Sequence, residues 1–268
     1  MHDRAAAKDR FRSFIDSFDV SSDILPLLHT TEAYSFSEIC ESASIEPAYC
    51  KHFRKRIVYL FYGRPAYRVE DAAFATLEFN WPIVFIFDPE KIDDISAVYP
   101  FDTGAFFFNL YHRFFSKKSR IEDFSLPGSV EYAKKIVGIF YENENSYFYG
   151  GSTKNLDIPN RQFEAQGIQE MSRMPALFDH ELGERGKRDE RSTSVELHSD
   201  SKIDIRQSTI GIILPQPYME DGEIRRALER WDIENILTYE VIRFHDQSAW
   251  AGQIYQRILD FYKKEGYL

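Results

Sequence analysis

Apolar positions along this chain fall into two kinds of run, one with helical spacing and one too short and too rich in β-branched and aromatic residues for a helix. Phe11, Phe14, Ile15 and Phe18 recur at helical spacing among charges, which predicts a short amphipathic helix over residues 5–18. Ser21-Ser22-Asp23 reads as a turn. Leu25-Pro26-Leu27-Leu28 then leads into His29-Thr30-Thr31, a short strand that delivers an imidazole and two hydroxyls at its end. Ser35, with Glu38 three residues on, has the form of a capping box that opens a helix to about Ser42. The runs 57–61 and 82–87 read as buried strands. Between them, Gly63 tolerates a backbone conformation closed to other residues and Pro65 pushes Arg64 toward an extended form, so the guanidinium is presented from a defined loop.

Further along, residues 90–95 read as a loop or a single helical turn, and 99–104 as turn chemistry with Gly104 free to be left-handed. Residues 105–115 carry five phenylalanines and read as a buried helix, an aromatic stripe of the kind that packs a core. A helix over 129–141 is capped by Ser129. From 142 to 191, asparagines, glycines and a charged run break the periodicity, which predicts long loops with one or two short elements. Order returns with a strand or strand pair over 193–205, a buried strand over 209–215, a helix over 220–231, a strand over 236–244 and an amphipathic helix over 248–264. No internal repeat is present.

The 268 residues, 43% of them hydrophobic, suffice for one large α+β domain over 1–268. Charges interrupt every apolar run before it reaches membrane-spanning length, and the charged N-terminal segment lacks the apolar core of a signal peptide, so the expected location is cytoplasmic. Cys40 and Cys50 are expected to be free thiols. The net charge of −10 opposes non-specific binding to nucleic acid without excluding a local basic groove, for which residues 51–56 and 185–191 are the two candidate patches.

Scattered histidines and unpaired cysteine spacing give no metal site. GxxxxGK[ST], GxGxxG and GxSxG are all missing from the sequence. What remains is His29-Thr30-Thr31 at a strand end, Arg64 in a proline-fixed loop, and Glu196 at the start of a late strand. Imidazole and hydroxyl suit a ribose, a guanidinium suits a diphosphate, a ring such as Tyr67 or Tyr59 suits a planar base, and a carboxylate suits a developing cation. Together they fit a pyridine dinucleotide cleaved at its glycosidic bond. Singly, each residue has an ordinary role: a structural histidine, an arginine paired with a carboxylate, core tyrosines, a solvent-facing glutamate.

In chain order, Leu28-His29-Thr30-Thr31, Phe61-Tyr62-Gly63-Arg64-Pro65-Ala66-Tyr67, the 82–87 strand and Val195-Glu196-Leu197 resemble the ADP-ribosyltransferase fold. The arrangement is similar to that of the DarT-type toxins that ADP-ribosylate DNA, over residues 25–244. The resemblance implies a split, mixed β-sheet core with flanking helices, and NAD as substrate. It implies His29, Thr31, Arg64 and Tyr67 as NAD-binding residues, Glu196 as the catalytic carboxylate, and a substrate-recognition loop in the irregular region of about 143–191. It further implies a bacterial toxin or anti-phage effector, with a cognate inhibitor as a partner. An E-x-E pair is not present, since Ser194 stands two residues before Glu196, and the acceptor stays open between water, protein and nucleic acid. Two other classes of function fit the same residues: a non-catalytic module that senses NAD or a related nucleotide, and an interaction protein that meets its partner through the 105–115 aromatics.

Overall fold

The computed structural model describes residues 3–20, 23–66, 77–173, 193–242 and 247–268. They form a mixed α+β structure in two compact units, one comprising Leu25–Asp94 with Ser199–Leu268 and the other Met1–Ile24 with Ile95–His198. Elements are numbered along the whole chain.

The first unit is built on a mixed sheet. Its strands are β1 (Leu27–Glu32), β4 (Lys55–Tyr62), β5 (Pro82–Phe87), β10 (Thr209–Pro215) and β11 (Asn235–Tyr239), in the order β11-β10-β5-β1-β4. β10 and β11 are parallel, and β5 runs antiparallel to both β10 and β1. β1 is antiparallel to β4, as is the short β3 (Ala48–Cys50). Every residue of β5 is buried, the state in which a strand must be apolar on both faces. Phe85 and Phe87 stack at 6.0 Å on one face, where Phe36 of α2 (Ala33–Ser42) and Trp231 of α8 (Gly222–Trp231) meet the Phe85 ring. Asp221 caps α8 by accepting from the Glu223 and Ile224 amides. The long α9 (Gln247–Glu265) buries Trp250, Ile254, Ile258, Phe261 and Tyr262 and anchors to β11 through Arg257 Nε, which donates to Thr238 O at 2.7 Å. A small ladder of β2 (Ser44–Ile45) and β9 (Ile203–Asp204) leads into one turn of helix, α7 (Ile205–Ser208).

In the second unit, β8 (Glu196–Ser199), β6 (Ile95–Tyr99) and β7 (Leu126–Pro127) lie side by side in that order. Around them are α1 (Asp3–Asp16), α3 (Thr103–Phe107), α4 (Val130–Phe140), α5 (Glu144–Tyr149) and α6 (Phe163–Ser172). Ser129 caps α4 as its position suggested, its hydroxyl accepting from the Glu131 amide. α1 is tied to α6 by the Arg10 guanidinium on the buried Glu164 carboxylate. Gln169 of α6 holds the preceding loop, donating to Lys154 O at 2.7 Å and accepting from Leu156 N at 3.3 Å. Among the described residues the irregular 143–191 stretch carries two helices; 174–192 lie outside the described residues.

Five local readings give way to tertiary structure. α2 begins at Ala33, directly after β1, so Ser35 lies inside the helix and caps nothing; Glu32 is the N-cap, and its side chain makes no capping bond to the helix backbone. The buried helix over 105–115 is only α3, five residues long. Asn109 at φ +58° turns the chain, and Phe101, Phe106, Phe115 and Phe124 close into one aromatic cluster that a continuous helix would not permit. Gly104 is part of α3, and the left-handed residue of this segment is Asn109 instead. β6 was not foreseen, because its ISAVY sequence sits between segments with turn chemistry. β11 ends at Tyr239, with 243–246 outside the described residues. Among the described residues no helix is long and apolar enough to cross a membrane.

β6 and β7 approach so closely at Gly128 that a Cβ there would sit 1.8 Å from the Ile95 carbonyl oxygen. Gly128→Ala therefore forces two backbones apart and is expected to destabilise the protein by about 3 kcal/mol, read from the denaturation midpoint. An unchanged midpoint would show that the strand pair opens at no cost.

Candidate functional site

In the first unit, β1 carries His29 and Thr31. Alternation along a strand sends both side chains to one face, and the register with β5 sets them beside Phe85 and Ile83. The His29 Nδ1 lies 2.8 Å from the Tyr59 carbonyl oxygen on the neighbouring β4. A carbonyl only accepts, so Nδ1 carries the hydrogen. Burial pushes the His29 pKa below its ordinary value of 6.5, with the Tyr59 bond opposing more weakly. The imidazole is therefore neutral at pH 7, and its Nε2 presents a lone pair.

Arg64 follows β4. Pairing of Leu27 with Tyr62 and of Leu28 with Phe61 brings the end of β4 beside the start of β1, two residues, or roughly 7 Å, from His29 along the strand. Gly63 takes φ +65° and donates its N–H to Pro26 O at 2.9 Å, and the Arg64 N–H reaches back to Tyr62 O at 2.8 Å. Arg64, at the end of this tight turn, is only 6% exposed. The Tyr62 hydroxyl, inside the core, receives the Leu25 N–H and fixes the chain entering β1. Tyr255 of α9 donates to Pro65 O at 3.2 Å. Tyr67 lies outside the described residues.

Glu196 belongs to the second unit, where it opens β8 with 1% of its surface exposed. A carboxylate so buried needs donors in place of water. Thr103, the first residue of α3, supplies two: its N–H to Oε2 at 3.0 Å and its hydroxyl to Oε1 at 2.6 Å. The third is Nε2–H of His198, 2.6 Å from Oε1. A carboxylate offers about four acceptor positions, so one remains, on Oε2. His198 is fully buried, two residues on from Glu196 and on the same face of β8, with the Tyr99 ring 5.0 Å from its own. Just ahead, the Val195 N–H donates to the Tyr147 hydroxyl at 3.0 Å, and Ser194 Oγ is buried with no hydrogen-bond partner among the described residues.

His29 and Thr31 thus share a face of β1, Arg64 follows the end of the neighbouring β4 in the same unit, and Glu196 is held by its own set of partners in the other unit. Sequence reading passed over Thr103 and His198. The i, i+2 spacing of Glu196 and His198 in a strand was a signal that both share a face; Thr103, 93 residues away, left no local signal. Elsewhere, burial raises the Cys40 thiol to about 11, which makes it a poor nucleophile at neutral pH. Among the described residues no group of three or more His, Cys, Asp or Glu is placed to hold a metal ion.

No family model, curated protein or solved structure matches the chain.

Two outcomes follow from this geometry. Because the folded His29 pKa is lowered, the unfolded chain takes up a proton first as pH falls below about 6.5. The His29 contribution to stability is complete above that pH and is lost as pH falls toward the folded pKa. Denaturant melts of wild type and His29→Gln are expected to converge between pH 7 and pH 5; parallel curves would mean His29 does not titrate differently in the folded state. Glu196→Ala leaves three buried donors without an acceptor and is expected to cost about 3 kcal/mol or more. Glu196→Gln, which keeps an amide oxygen for Thr103, costs less. Equal midpoints for the two variants would remove the buried-donor argument.

Proposed function

We propose that this protein is an NAD-dependent ADP-ribosyltransferase, which cleaves NAD to nicotinamide and transfers ADP-ribose to a macromolecular acceptor, a nucleic acid or a protein. The observation that supports this reading most is the neutral His29, with a bare Nε2 acceptor on β1, one strand away from the turn that buries Arg64. An imidazole lone pair accepts from a ribose hydroxyl, and a guanidinium makes paired hydrogen bonds with a diphosphate. Thr31 adds a hydroxyl on the His29 face, and Tyr67 a ring for the planar base.

Glu196 takes the catalytic part in this reading. The bond between nicotinamide and the ribose C1′ breaks with its electron pair going to nicotinamide, which leaves neutral, and positive charge builds on the ribose. The carboxylate accepts from a ribose hydroxyl and stabilises that charge. The acceptor then bonds to C1′ and releases a proton. On this reading the mixed sheet with its flanking helices is an ADP-ribosyltransferase-like split core. The protein acts in the cytoplasm as a bacterial toxin or anti-phage effector, with a cognate inhibitor as a partner.

One observation favours a second reading, a non-catalytic module that senses NAD or a related nucleotide: three of the Glu196 acceptor positions are already filled by its own chain. Nicotinamide release and calorimetric titration with NAD separate the two. Release by wild type, slowed on the order of a hundredfold or more in Glu196→Gln, is expected. Binding without release selects the sensor, and no binding of NAD sinks both readings.

A further inference from the structure

We infer that Thr103 and His198 are positioning residues for the Glu196 carboxylate, holding it so that the one open acceptor position on Oε2 is the one offered to substrate. The inference rests on the reading of Glu196 as the catalytic carboxylate. A glutamate side chain turns about three single bonds, and an unheld carboxylate would present its oxygens in many directions. Here Thr103 grips both oxygens at once, N–H on Oε2 and hydroxyl on Oε1, which fixes the plane of the group. His198 adds a second bond to Oε1 at 2.6 Å from a direction set by β8 itself, since the two residues share a face of one strand. Two donors on Oε1 and one on Oε2 make the oxygens unequal.

The donors are themselves held. Thr103 N–H belongs to the first turn of α3, where no intrahelical carbonyl competes for it, and Asp102 fixes that turn by accepting from the Ala105 N–H at 2.9 Å. The His198 ring packs against Tyr99, and its backbone carbonyl accepts from Ser96 Oγ at 3.3 Å, both on β6. Charge balance alone would ask only for a cation or donors nearby. Three donors with restrained frames, distributed two and one, amount to a device for orientation, which matters most in a transition state.

The test compares nicotinamide release from NAD by the full chain for wild type, Glu196→Gln, His198→Phe, His198→Gln and Thr103→Val, with melting temperatures for each. His198→Phe is expected to lower kcat about a hundredfold with KM for NAD little changed. His198→Gln, whose amide nitrogen takes the place of Nε2, is expected to recover most of that loss. Thr103→Val keeps the N–H and the shape, so it folds even if His198→Phe does not, and is expected to lose kcat without losing KM. A folded Thr103→Val with wild-type kcat, or a His198→Gln as impaired as His198→Phe at equal stability, overturns the inference. If wild type releases no nicotinamide, it is the parent reading that fails. If wild type is active and only Glu196→Gln is impaired, the parent reading stands and the positioning role alone is lost.

Discussion

Withdrawing a carboxylate from water costs several kcal/mol unless donors replace the lost hydration, and the second unit is arranged around meeting that requirement at Glu196. The replacement donors come from residue 103 and from residue 198, at the start of α3 and on β8. α3 can therefore begin at only one place and orientation relative to β8. The aromatic cluster of Phe101, Phe106, Phe115 and Phe124 follows from that placement, since it is threaded through the same α3 and the turn after it. A short helix of five residues has little stability of its own. Its first turn is held instead by the Asp102 cap and by Glu196, so burial of one charge and formation of one helix depend on each other.

In the first unit the corresponding constraint is β5, apolar throughout because it is covered on both faces. Once β5 is central, β1 and β10 must flank it, and the β1 register decides which residues share a face. A slip of one residue would exchange His29 and Thr31 for Leu28 and Thr30 on the face now occupied by the imidazole. The bond from His29 to Tyr59 O and the turn at Gly63 then depend on the β1–β4 pairing, so the geometry around Arg64 is inherited from the hydrophobic pattern of strands on which it does not lie.

Much of this architecture was legible along the chain because the residues concerned signal locally. The runs 57–61, 82–87 and 209–215 are strands with nearly the bounds that their composition suggests, and Ser129 caps the helix that its position opens. What escaped was decided at a distance. β6 has no distinctive edge in the sequence and exists because β7 and β8 lie on either side of it. Ser35 has the form of a cap, but the strand before it runs straight into the helix and uses that position up. The phenylalanines of 105–115 have helical spacing, yet the buried Tyr111, whose hydroxyl donates to Asp102 O, turns them into a knot. The candidate residues His29, Arg64 and Glu196 were visible as residue types in order; their partners Tyr59 O and Thr103 were not, because a hydrogen bond across 30 or 93 positions leaves no pattern to read, whereas His198, two positions from Glu196, was within reach of the strand alternation.

Two of the groups proposed to meet NAD share a physical character. The His29 side chain is fixed by a strand carbonyl and the Glu196 side chain by three donors, each set lying wholly within its own unit. Polar side chains anchored in this way have already lost the conformational freedom that a ligand would otherwise have to remove, so binding or reaction there costs less reorganisation. The same anchoring also sets a limit. A carboxylate with three internal partners and one open position can accept a single further hydrogen bond without giving up one that it has. Within the fold it can therefore take one more donor, at Oε2, and no more.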